Sequence, residues 1–77
     1  MKLENDLKKL RNSKGYTLED VAKKLNMDCK DRLSQWERGT AVPGLLNLFK
    51  LSVLYDTLPH ELYPKPWKAL LTEYLKS

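Results

Sequence analysis

The apolar positions of this chain recur with the period of an amphipathic helix, in short runs separated by glycine, proline and small polar residues. Leu3, Leu7 and Leu10 stand at i, i+4 and i+7 among Lys2, Glu4, Asp6, Lys8, Lys9 and Arg11, and they predict a first helix that ends at Gly15. Leu18, Val21, Ala22 and Leu25 repeat at i, i+3, i+4 and i+7 and predict a second, with Lys23 and Lys24 on its solvated side. Thr17 is its N-cap candidate, because a hydroxyl there accepts from an orphan backbone N–H while Asp20, three residues on, reaches back. After the polar break at 26–28, where Asp28 is the cap candidate with Asp31 as its reciprocal partner, a third helix is predicted over 29–38. It is buried along Cys29, Leu33 and Trp36 and stopped by Gly39.

Pro43 suits the first position of a fourth helix, where its missing N–H costs nothing. Leu45, Leu48, Phe49, Ser52 and Val53 share one face of that helix, and Leu46, Leu51, Leu54 and Tyr55 widen it over most of the circumference, as expected of a central packing element. Residues 59–63 read as a short fifth helix anchored by Leu58 and Leu62 and closed by Pro64 and Pro66. From Pro66, the positions Trp67, Leu70, Leu71, Tyr74 and Leu75 form a last stripe at i, i+3, i+4, i+7 and i+8, with Lys68, Glu73 and Lys76 outside it. The expected division is a helical domain over 1–63 and an amphipathic extension over 64–77.

Composition narrows the function classes. A chain of 77 residues holds one small domain, with apolar content for one core and none to spare for a deep substrate cleft. Fourteen Lys and Arg against ten Asp and Glu leave a formal charge of +4, which favours a polyanionic partner without requiring one. With one cysteine and one histidine, Cys29 and His60, the chain builds neither a disulfide framework nor a zinc site of several Cys and His ligands, and a reducing cytoplasm is the expected compartment. No apolar run reaches the roughly 20 residues of a membrane span, and the charge-alternating N-terminus offers no signal-peptide core. Ser34, Asp31 and His60 make no hydrolytic triad, so the expectation is a protein without catalytic activity and without a cofactor.

The motifs add up to a resemblance. Leu10-Arg11, Gly15-Tyr16-Thr17, Val21-Ala22, Leu25, the run Ser34-Gln35-Trp36-Glu37-Arg38-Gly39 followed by Pro43, and the Leu-rich downstream helix are similar to the lambda-repressor-like, Cro/cI-type family of helix-turn-helix DNA-binding domains, over roughly 7–63. The resemblance implies an all-α fold of five helices, with the helix-turn-helix at helices two and three, and here an additional C-terminal helix. It also implies an ion pair between Arg11 and Glu37 that ties helix one to the end of helix three. Leu18 stands where family members usually carry a Gln that contacts a DNA phosphate. One residue more than the commonest spacing lies between Leu25 and Glu37, to be absorbed by an extended turn around 26–30.

The exposed polar face of helix three is the functional clue. The major groove admits an α-helix and displays a distinct donor and acceptor pattern for each base pair. Gln35 can pair with adenine, Lys30 and Arg32 can donate to guanine, Asp31 can accept from cytosine, and Ser34 is short and adaptable. Phosphate contacts are expected from Arg38, Thr40, Thr17 and Lys14. An isolated cluster of this kind is more often a plain solvated face; the family motif around it reverses the odds. Cys29 is expected as a small buried hydrophobe, and Trp36 and Trp67 as packing anchors.

The leading expectation is a sequence-specific regulator of double-stranded DNA, of repressor type, with helix three in the major groove. The alternative is a protein-interaction module, antitoxin-like or adaptor, that uses the C-terminal helix. Trp67, Leu70, Leu71, Tyr74 and Leu75 either pack on the core, form a homodimer, or dock another protein.

Overall fold

A computed structural model describes residues 2–75 of the chain. They form α1 (Leu7–Ser13), α2 (Leu18–Lys24), α3 (Asp31–Arg38), α4 (Leu45–Leu54), a 3-10 turn (Pro59–Leu62) and α5 (Pro64–Leu75), with no strand among the described residues. Lys76, assigned to the last stripe, and Ser77 lie outside the described residues.

The first four helices end in the same way. Gly15, Asn26, Gly39 and Asp56 all adopt positive φ, and the residue after each donates its N–H back into the last turn: Tyr16 to Arg11 at 3.2 Å, Met27 to Ala22 at 2.8 Å, Thr40 to Gln35 at 3.1 Å and Thr57 to Ser52 at 2.9 Å. Each turn thus satisfies orphan carbonyls with a left-handed residue, which short polar side chains such as Asn and Asp tolerate better than others. At Gly39 a side chain is excluded twice. Its φ is +77°, and an added Cβ would stand 2.5 Å from the carbonyl oxygen of Leu3, whose N–H bonds Gly39 O at 3.0 Å.

That contact explains the first departure from the periodic pattern. Leu3 does not extend α1; residues 2–5 run without helix across the end of α3, and α1 starts at Leu7. Asn5 makes the switch, its Oδ1 accepting from the Leu7 N–H at 3.0 Å while its Nδ2 donates to the Trp36 carbonyl at 3.0 Å. At the other end of the chain, α5 starts at Pro64 and not at Pro66. Both prolines fit in the first turn, where no N–H is needed, and Trp67 N–H closes on Tyr63 O at 3.0 Å.

The core consists of Leu7, Val21, Ala22, Leu25, Leu33, Trp36, Leu51, Tyr55 and Leu62. The apolar face of α2 is the expected one, with Leu18 half-buried at its edge. In α4 the buried face differs. Leu48, Leu51, Ser52 and Tyr55, at i, i+3, i+4 and i+7, turn inward, and Leu45, Phe49 and Val53 stand exposed together with Leu46. The Ser52 hydroxyl is satisfied by the Leu48 carbonyl at 3.0 Å. Leu58 is likewise exposed, so Leu62 alone anchors the 3-10 turn. The α5 stripe is no core element: the helix lies beside the 3-10 turn, with the His60 and Trp67 rings 5.1 Å apart, and buries none of its residues.

Candidate functional site

α3 is fastened from three directions. Leu33 and Trp36 sink into the core beneath it. Beside them, Arg11 Nε donates to Glu37 Oε2 at 2.6 Å and Nη2 to Oε1 at 3.2 Å, a two-pronged pair whose side chains are each only 10% exposed. The third prong, Arg11 Nη1, donates to the Tyr16 carbonyl at 2.9 Å, so one guanidinium holds the α1–α2 loop and the end of α3 together. Its hydrogen bond to Glu37 keeps Arg11 protonated above even its ordinary range, against the opposing effect of burial. Asn5 completes the set from the N-terminal segment by capturing the Trp36 carbonyl. Sequence reasoning missed Asn5, although an asparagine two residues ahead of Leu7 is a helix-start signal; the Leu3-Leu7-Leu10 spacing overrode it.

The start of α3 is held more loosely. Residues 25–30 form an extended connection in place of a tight turn, and Asp28 does not cap the helix. Lys30 occupies the cap position without a side-chain cap bond, and the Asp31 N–H lies 3.3 Å from Cys29 Sγ. Cys29 itself is exposed, not buried, because the added length of the connection lifts it off the core before the helix begins. Arg32 leans over a crevice lined by Asn26, Met27, Asp28 and Cys29.

Of the sequence-predicted residues, Asp31, Gln35 and Arg38 fall at i, i+4 and i+7 and form the outermost line of α3, all exposed. Arg32 borders this line on the side of the connection, and Ser34, half-buried, borders it on the other. Among the described residues, the side chains of Arg32, Ser34, Gln35 and Arg38 make no hydrogen bond or ion pair. Lys30 differs, since its Nζ is bound to Glu19 Oε1 at 3.0 Å; with both side chains at least half exposed, that pair is a weak tether in water. Thr40 caps the far end, its hydroxyl 3.3 Å from the Gln35 carbonyl.

Lys14 and Thr17 bracket the α1–α2 loop, whose Tyr16 carbonyl Arg11 holds. Lys14 is the exposed C-terminal cap of α1. Thr17 forms a reciprocal cap with Asp20: its N–H donates to Asp20 Oδ2 at 2.8 Å and Asp20 N–H donates to Thr17 Oγ1 at 3.0 Å. The backbone and hydroxyl bonds from Thr17 lower the Asp20 carboxyl below the usual range. Next to it, Lys24 Nζ sits 5.3 Å over the Tyr16 ring. Leu18, the departure from the family pattern, is half-buried against the core, so it offers a packing surface where family members present an amide.

The arrangement is a rigid helix with an outer line of hydrogen-bonding groups of both signs, flanked by exposed cations. Among the described residues there is no cluster of His, Cys, Asp and Glu fit for a metal ion, and no helix long and apolar enough to cross a membrane. A family model described as helix-turn-helix matches residues 7–62. Comparisons with curated proteins and with solved structures gave no match.

Proposed function

The chain belongs to the XRE/lambda-repressor-like helix-turn-helix family of DNA-binding regulators, and on that premise we propose that it represses transcription by reading a specific duplex sequence with α3 in the major groove. The observation that carries the proposal is the contrast within α3. Glu37, Leu33 and Trp36 are immobilised on one side, while Asp31, Arg32, Gln35 and Arg38 are free on the other. A helix pinned in this way meets base edges without first losing the freedom of its own backbone, which is what makes readout by a few side chains affordable.

In this reading Gln35 pairs with an adenine, Arg32 and Lys30 donate to guanine, Asp31 accepts from a cytosine amine and Ser34 adapts to its neighbour. Lys30 must first leave Glu19, so it contributes least. Arg38, Thr40, Thr17 and Lys14 hold phosphates on either side and set the docking register. Arg11 and Glu37 touch no DNA; they set the angle of α3.

Selection from random duplexes with the folded protein tests the proposal. An enriched motif supports it, and a library that stays random overturns the sequence-specific reading. On the selected site, Gln35→Ala relaxes preference at one position by about 1–3 kcal/mol of discrimination. Lys14→Ala weakens all sequences alike and lowers the log–log salt slope by about 0.9.

A further inference from the structure

The segment ahead of α1 stands outside the stretch that the family model matches, which begins at residue 7, yet it is bonded to the helix that carries the reading face. It is not a free arm. Leu3 N–H donates to Gly39 O at 3.0 Å at one end of the segment, and Asp6 N–H donates to Leu62 O at 2.9 Å at the other. Between them stands Asn5, half-buried, whose side chain bonds in two directions. Its Oδ1 accepts from the Leu7 N–H at 3.0 Å, where α1 starts. Its Nδ2 donates to the carbonyls of Leu3 and Trp36, each at 3.0 Å, and lies 3.4 Å from that of Glu37.

The last carbonyls of a helix have no partner inside it, so what engages them decides how firmly that end is held. The Trp36 carbonyl accepts the Gly39 N–H at 3.1 Å with one lone pair and the Asn5 amide with the other. Two ties from different elements thus grip neighbouring residues of α3: Arg11 holds the Glu37 side chain, and Asn5 holds the Trp36 backbone. Burial of Leu33 and Trp36 fixes which side of α3 faces the core. A bond to the terminal backbone restricts something else, namely how the helix slides and tilts along that core. The same turn carries Gln35 and Arg38 on its outer line.

We propose that Asn5 is a positioning residue for DNA reading, an inference that rests on α3 reading a duplex sequence: through its amide, the N-terminal segment sets the placement of the end of α3 and with it the base contact of Gln35. Hydrogen bonds to base edges demand close distance and direction, whereas attraction to phosphates carries no sequence information and tolerates displacement. Loosening the end of α3 therefore weakens binding to the preferred sequence and leaves binding to other sequences nearly unchanged.

Asn5→Ser tests it, because serine starts a helix as well as asparagine does, while its shorter, amide-free side chain drops the tie to α3. Binding of the full chain is measured to the duplex that the wild type selects from a random library and to a scrambled duplex of the same length, at a temperature where circular dichroism shows every variant folded. Asn5→Ser weakens binding to the selected duplex about tenfold and to the scrambled one by no more than about twofold. In a Gln35→Ala background the same change narrows the selected-to-scrambled ratio by less than about threefold, since the contact it would misplace is already gone. Asn5→Asp gives a second reading: it keeps the helix start, turns a carboxylate oxygen toward the α3 carbonyls, and narrows the ratio at least as far. A wild type that selects a duplex while Asn5→Ser and Asn5→Asp keep its full ratio overturns the proposal and leaves DNA reading standing, with Asn5 serving stability alone. A tenfold loss that persists undiminished beside Gln35→Ala also overturns it. A library that stays random overturns it by removing the reading itself.

Discussion

Replacing Glu37 by Gln keeps the shape of the side chain and removes its charge, which makes it the sharpest probe of how α3 is held. In the native protein two guanidinium N–H groups of Arg11 end on the two carboxylate oxygens at 2.6 and 3.2 Å, in a setting where each side chain is 10% exposed. Gln offers one oxygen and one amine, so one prong of Arg11 faces a donor and its charge has no counter-ion. Removing one member of a buried pair costs about 3–5 kcal/mol, because the remaining charge is left desolvated. Here the Tyr16 carbonyl and the surviving amide oxygen still accept from Arg11, so the expected loss is about 2–4 kcal/mol. For a domain of this size that is a large share of the total stability and lowers Tm by roughly 10–25 °C.

Urea unfolding followed by tryptophan fluorescence measures the loss, since Trp36 is 3% exposed and adjoins Glu37 in sequence. Removing both charges with Arg11→Met and Glu37→Leu together should cost less than the two single changes added, because no unpaired charge is left inside. The loss should also change little with salt, unlike anything contributed by the exposed Lys30–Glu19 pair. A loss below about 1 kcal/mol, or a double variant destabilised by the full sum of the singles, refutes the reasoning and reduces the pair to a surface contact.

Gly39→Ala should cost at least about 2 kcal/mol in the same urea assay, since it places a Cβ in a left-handed conformation and against the Leu3 backbone; hydrogen exchange at the Leu3 amide should rise with it. Thr17→Ala should cost about 1 kcal/mol by removing half of a reciprocal cap. On the alkaline side, burial pushes the Tyr55 hydroxyl up to about 12, so its neutral form is favoured in the folded state. The stability this represents is complete below pH 10 and is lost as pH rises from there toward about 12, a decline that Tyr55→Phe should flatten and that tyrosinate absorbance can follow. On the acid side, the carboxyls of Asp20, bonded by Thr17, and Glu61, bonded by the Leu58 N–H and Thr57, lie below their usual range. Their contribution is present above the ordinary carboxylate range and is lost as pH falls through it, and Asp20→Asn should remove part of that dependence.

How far the periodic pattern anticipates the structure depends on how sharply each helix contrasts its faces. α2 alternates Leu18, Val21, Ala22 and Leu25 with Glu19, Lys23 and Lys24, and its buried side follows directly. α3 is as clear over 31–38, which is why the exposure of Gln35 and Arg38 was legible without coordinates. The exposure of Cys29 was not, because spacing carries a stripe backwards past the point where the connection leaves the core. Leu3 misleads for a related reason: it is half-buried, as its place in the stripe suggests, but it reaches that position as extended chain over Gly39. In each case the pattern reports correctly that a side chain seeks cover, or stands where cover is common, and says nothing about the backbone that takes it there.

α4 and α5 carry the same point further. α4 is apolar around most of its circumference, and periodicity alone assigns Leu45, Phe49 and Val53 to the core as readily as Leu48, Leu51 and Tyr55. The α5 stripe is as regular as that of α2, yet it buries nothing. A helical repeat of apolar residues measures a demand for burial; it does not distinguish a demand met by the same chain from one met by another molecule.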